Sequence, residues 1–126
     1  MEMLAEETLA AIGRMTVAAT DLEHLLAWVG ADRSGGNPDP VFAVPGEPLR
    51  AARGAVEFAA PAHREELIRY VEAAGTQLAL SQAALRALWK QNARRDPATF
   101  DEIAARLVRL RGMLGELVQS HLQAHG

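Results

Sequence analysis

The chain contains no cysteine. That excludes disulfides, a thiolate nucleophile and any cysteine-based zinc site, and it makes a reducing cytoplasm the expected setting. Aromatic residues are scarce, 5% against 49% hydrophobic residues overall. A core drawn from Leu, Ala, Val and Ile suits packed helices better than a β-sandwich. No apolar run approaches the roughly 20 residues that cross a bilayer, so a membrane partner is not expected. The stretch Met1 to Leu9 carries Glu2, Glu6 and Glu7 and no basic residue, unlike a secretory signal, which opens positive. Strong net charge is missing too. A formal charge of −3 argues against a protein that coats nucleic acid or an anionic membrane. Lysine occurs once, as Lys90, among 13 basic residues, a codon usage that points to a GC-rich bacterial genome.

What is present is helical periodicity. The 126 residues suffice for one domain, 1–126, with its own core. A first helix is expected from about Met3 to Val29: Leu9, Ile12, Met15, Ala19, Leu22, Leu26 and Val29 recur at intervals of three or four, with Leu25 and Trp28 widening the face. Gly30 stands where a left-handed cap would end it. Residues 31–47, rich in Gly and Pro, read as a long loop anchored by Val41, Phe42 and Val44, or else as a lid. A short second helix is expected from Pro48 to Ala59, with Leu49, Ala52, Val56 and Ala59 inward. Ala60-Pro61 breaks the chain.

The third helix, about Pro61 to Asn92, has the most regular seam, through Leu67, Val71, Ala74, Leu78, Ser81, Leu85 and Leu88, and is expected to be central. Gly75 inside it calls for a close helix crossing, and Ser81 for a bond to the carbonyl four residues back. The fourth, about Pro97 to Gln123, places Phe100, Ile103, Leu107, Leu110, Leu114, Leu117 and His121 on one face. Asp96 or Thr99 can cap it, and Thr99 with Glu102 has capping-box spacing. The fold predicted is an all-α, antiparallel four-helix bundle of three long helices and one short.

Reactive constellations are thin. His121 and His125 lie four apart, but a metal needs three or four held ligands, so no metal or cofactor is expected. His24 and His63 read as surface histidines near carboxylates. Ser34 has no His near it in sequence, Ser81 is buried by pattern and Ser120 is near a terminus, so none reads as an activated nucleophile. Glu6-Glu7, Glu65-Glu66 and Asp101-Glu102 sit in first helical turns, where the helix dipole favours them. Arg33-Ser34-Gly35-Gly36-Asn37 lacks the Lys-Ser/Thr ending of a phosphate loop. No catalytic residue is assigned. The least ordinary feature is a basic ridge, Arg86, Lys90 and Arg94 with Arg95 adjacent, beside Trp89. It could cap the helix end or meet an anionic partner, a protein face or RNA. Residues 1–60 carry nine acids and four bases, whereas 61–126 carry seven acids and nine bases, an asymmetry that could orient self-association.

Three segments carry a resemblance. Ala11-Ile12-Gly13-Arg14-Met15-Thr16-Val17-Ala18-Ala19 with Leu22-Glu23, Leu80 through Trp89 ending in Leu-Trp, and Asp96-Pro97-Ala98-Thr99-Phe100-Asp101-Glu102 together resemble small actinobacterial HEPN-like bundle proteins. That resemblance implies a helical bundle and dimerisation through helices. HEPN ribonucleases carry Arg, four to six intervening residues and His; here Ser81, Gln82 and Arg86 stand where that motif would fall. The ribonuclease chemistry does not carry over, because the general base is missing. The leading expectation is a non-catalytic interaction protein, a homodimer or the partner of another protein. RNA binding, or a degenerate HEPN-type ribonuclease or toxin–antitoxin component, is one alternative. A small-molecule pocket lined by Trp28, Phe42 or Trp89 under the 31–47 segment is another.

Overall fold

A computed structural model describes residues 4–31, 36–90 and 95–125, with the side chains of 121–125 left aside. Met3, the Arg33-Ser34-Gly35 stretch, Asn92, Arg94 and the side chains of His121 and His125 therefore lie outside the described residues. The described residues are all-helical, without a strand. Five helices succeed one another: α1 (Glu6–Ala31), α2 (Asp39–Phe42), α3 (Glu47–Ala55), α4 (Pro61–Ala87) and α5 (Pro97–His125), with a 3₁₀ turn, Val56–Phe58, between α3 and α4. No described helix is long and apolar enough to cross a membrane.

The Pro-rich segment is not wholly loop. Pro38 precedes α2 and Pro40 lies in its first turn, where a missing N–H costs no intrahelical bond. The Phe42 N–H donates to the Pro38 carbonyl at 2.8 Å, and the Phe42 ring meets His24 of α1 edge-on, 5.0 Å between centroids. Gly46, at φ 82°, turns the chain into α3. Ala60 is extended (ψ 138°) ahead of Pro61, as a residue before Pro must be.

Gly30 does not cap α1. The helix continues to Ala31, and a Cβ on Gly30 would fall 2.5 Å from the Ala51 Cβ and 2.9 Å from the Ala51 carbonyl carbon. The glycine is there because α3 crosses α1 at that point. Gly75 behaves as expected: its missing Cβ leaves room for Leu49 of α3, whose Cδ2 would be 3.1 Å away. Ser81 is buried and donates to the Leu78 carbonyl, three residues back, at 2.7 Å.

The central helix is α1, which packs most extensively against α5 and then α3; α4 meets α5 more than it meets α1. The periodicity of α4 promised otherwise. The difference lies in the alanines of α1: Ala11, Ala18, Ala19 and Ala27 are buried and let two neighbours approach closely, whereas Leu9 and Trp28, counted on its apolar face, are exposed. In α4 only Leu67, Val71, Ala74 and Ser81 are buried, and Ile68 and Leu80 face outward.

The direction of α5 relative to α1 follows from their contacts. Arg14 pairs with Asp101, Asp21 with Arg111, and Leu25 lies 3.9 Å from the position of a Gly115 Cβ. These contacts advance together along both helices, so α1 and α5 run the same way. Three long helices joined end to end leave the first and third parallel. At one end the link before α5 is tied to α1, where the buried Thr8 hydroxyl donates to the Arg95 carbonyl at 2.6 Å. Helix α5 opens at Pro97 after Asp96, and the Thr99 hydroxyl donates to the Asp96 carboxylate at 2.9 Å. Thr99 is thus inside the first turn and not the head of a capping box.

Candidate functional site

At the end of the molecule opposite the Thr8 tie lies an open cleft of about 730 Å³. The end of α1 supplies Leu25, Trp28 and Val29; the 3₁₀ turn and its flanks supply Ala55, Phe58 and Ala59. His63 and Leu67 come from the start of α4, and the second half of α5 closes the far wall. Two features of the sequence make the opening. Gly112 and Gly115 lie on the α5 wall, and a Cβ at Gly112 would meet nothing within 4 Å. In addition, Trp28 and Phe58 are 48% and 61% exposed, so two large rings stand at the rim instead of filling the core. The wall is mainly apolar, with His63, Arg111, Glu116 and Gln119 as its polar members. A volume of that order falls in the range of small-molecule sites, which combine apolar walls with a few polar groups.

The charges in the cleft are unequal. The Arg111 Nε lies 3.1 Å from the Asp21 carboxylate of α1. It is a close ion pair and not a hydrogen bond: the N–H is not aimed at the oxygen, and the buried Nε has no hydrogen-bond acceptor. His63 is engaged in a polar or ring interaction. Glu116 is exposed and has no ion-pair partner among the described residues.

Elsewhere the electrostatics hold helices together. Arg14 donates two hydrogen bonds to Asp101, at 2.8 and 3.1 Å, and Arg53 donates two to Glu72, at 2.8 and 3.0 Å. These bonds hold the Asp101 and Glu72 carboxyls below the usual carboxylate range. Burial pushes Glu23 of α1 the other way, above that range.

Of the residues singled out from sequence, Trp28 lines the cleft. Phe42 does not; it fastens α2 to His24. Trp89, 68% exposed, lies beyond the other end of α4. Arg86 and Lys90 do not share one helical face, because α4 stops at Ala87 and the Lys90 N–H turns back to the Ala87 carbonyl; Arg94 lies outside the described residues. Arg86 and Lys90 are exposed, whereas Arg95 points inward and donates to the Leu88 carbonyl at 3.2 Å. Of the three residues at the HEPN motif position, Ser81 is buried while Gln82 and Arg86 face water.

Phe58, Gly112 and Gly115 escaped the sequence reading. Phe58 falls off the Leu49, Ala52, Val56 and Ala59 stripe, and the two glycines interrupt a seam whose leucines dominate the pattern. The spacing of those glycines on one strongly helical segment was the available signal. A comparison with models of protein families, with curated proteins and with solved structures finds no match.

Proposed function

We propose that this chain is a binding protein without catalytic chemistry of its own, and that the cleft between α1, α4 and α5 takes an apolar ligand of small-molecule size. One observation carries the reading: an open, mainly apolar cavity of about 730 Å³ with Trp28 and Phe58 exposed at its rim. Two large rings left half in water cost the fold about half of their burial energy, which for a fully buried side chain of that kind is roughly 1.5–3 kcal/mol. A bound molecule that covers them would recover part of it.

Titration with an uncharged, environment-sensitive naphthylamine dye tests this. Saturable enhancement at micromolar dye is expected, and it should disappear in Gly112→Leu. That substitution puts a side chain into the cleft where nothing obstructs it and improves helix propensity, so thermal stability should not fall. Absence of saturable binding, or binding indifferent to Gly112→Leu, overturns the proposal.

A second reading, association with a second copy or another protein, is favoured by Val17 and Val108, 70% and 62% exposed. By the register of α1 and α5 both fall between the Arg14–Asp101 and Asp21–Arg111 pairs. Large apolar side chains left in water on two packed helices are the raw material of an interaction surface. Sedimentation at micromolar concentration should then report a dimer that Val108→Arg disperses. A strict monomer across that range counts decisively against self-association.

A further inference from the structure

The cleft is not neutral toward every apolar molecule. Four polar side chains line it, and their charges are differently placed. Arg111 is already balanced by Asp21, 3.1 Å away, so an anion arriving there would compete with a resident carboxylate. Glu116 carries a charge that no described residue pairs with. It stands one helical turn beyond Gly112, on the same face, where the absence of a side chain leaves its carboxylate open to the cleft. Trp28 and Phe58 line the same space. Ring faces carry negative electrostatic potential and attract cations, most of all quaternary ammonium groups, which shed water cheaply.

We propose that the cleft selects an apolar molecule bearing an organic cation, whose positive end is held between the Glu116 carboxylate and the rings of Trp28 and Phe58. The inference rests on the reading of the cleft as a ligand site and names the ligand's chemical class. The apolar part of such a ligand lies along Leu25, Val29 and Leu67, the charged part at the mouth.

Three probes built on straight eight-carbon chains, the carboxyl carbon of octanoate included, and differing in the head group test it: octyltrimethylammonium, octanol and octanoate, each displacing the naphthylamine dye. The cation is expected to bind about tenfold more tightly than the alcohol, the size of one partly desolvated cation–ring contact added to one exposed ion pair. Octanoate should be the weakest. Glu116→Gln should remove most of the cation's advantage and leave octanol unchanged, and Trp28→Leu should reduce it while sparing octanol more. Equal binding of cation and alcohol, a ratio unmoved by Glu116→Gln, or a preference for octanoate overturns the inference while the apolar ligand site stands. If the dye and octanol both fail to bind, the site itself is lost and the inference with it.

Discussion

At the residue scale, the glycines separate geometric necessity from accident. At Gly30 an added methyl would press on the Ala51 Cβ and on backbone, at 2.5 and 2.9 Å, and backbone cannot turn aside. Gly30→Ala is therefore expected to lower unfolding free energy by about 2 kcal/mol, an overpacking penalty less a small gain in helix propensity. Gly75→Ala meets the far end of Leu49 at 3.1 Å, which can swing away, so a change near zero is expected. Gly13, with nothing within 4 Å of its added Cβ, should gain about 1 kcal/mol as Ala. Urea denaturation of the three variants checks the order; a harmless Gly30→Ala would remove the α1/α3 crossing as its explanation. A close crossing was legible in sequence at Gly75, inside a strong periodic seam. It was not legible at Gly30, where the same residue also marks a plausible helix end. Only the neighbour's position tells the two roles apart.

Glu23 adds a pH dependence at the same scale. Burial raises its carboxyl above the ordinary value, so the folded state holds the proton longer than the unfolded chain does. Its contribution is fully present below the unfolded value and is lost as pH rises through the folded one. At neutral pH the ionised group is a cost. Glu23→Gln should raise the melting temperature at pH 7 and lose that advantage in acid; a lower melting temperature at pH 7 would mean that Glu23 has a favourable partner.

At the element scale, the ion pairs give the opposite pH trend. Asp101 ties α5 to α1 and Glu72 ties α4 to α3, each with a depressed carboxyl because an arginine donates to it. Their stabilisation is present above the unfolded carboxylate value and is lost as pH falls through the depressed one. Replacing Asp101 by Asn and Glu72 by Gln should therefore flatten the acid limb of the stability curve. Both pairs are solvated, so the effect at neutral pH should be small. An acid limb that keeps its slope would assign acid sensitivity to other carboxylates. The long helices themselves were legible, because alternation by three and four fixes them wherever leucine is frequent. Helix α2 was not: Pro38 and Pro40 read as breakers, although proline in a first turn starts a helix. The direction of α5 relative to α1 was also hidden, since periodicity shows which face is buried and nothing about which neighbour covers it.

At the scale of the whole molecule, apolar side chains divide into those that hold the bundle together and those placed at its surface, and composition cannot sort them. Phe100 is 1% exposed and is the aromatic ring at the centre of the core; both tryptophans stand outside it. Sequence periodicity put Trp28 on the inward face, since one position of drift separates a core residue from a rim residue on a helix of 26 residues. The cleft was legible only as a possibility, because it depends on three helix ends that lie far apart in the chain. Substitution should expose the division. Phe100→Ala is expected to cost about 4 kcal/mol, enough to unfold much of a domain of ordinary stability. Trp28→Ala and Phe58→Ala remove as much apolar surface from the sequence and should each cost under about 1 kcal/mol, while weakening dye binding several-fold. Parallel melting and dye titrations on the three variants distinguish the roles. If Trp28→Ala destabilises the protein as Phe100→Ala does, the ring is part of the core and the cleft loses one wall of its binding site.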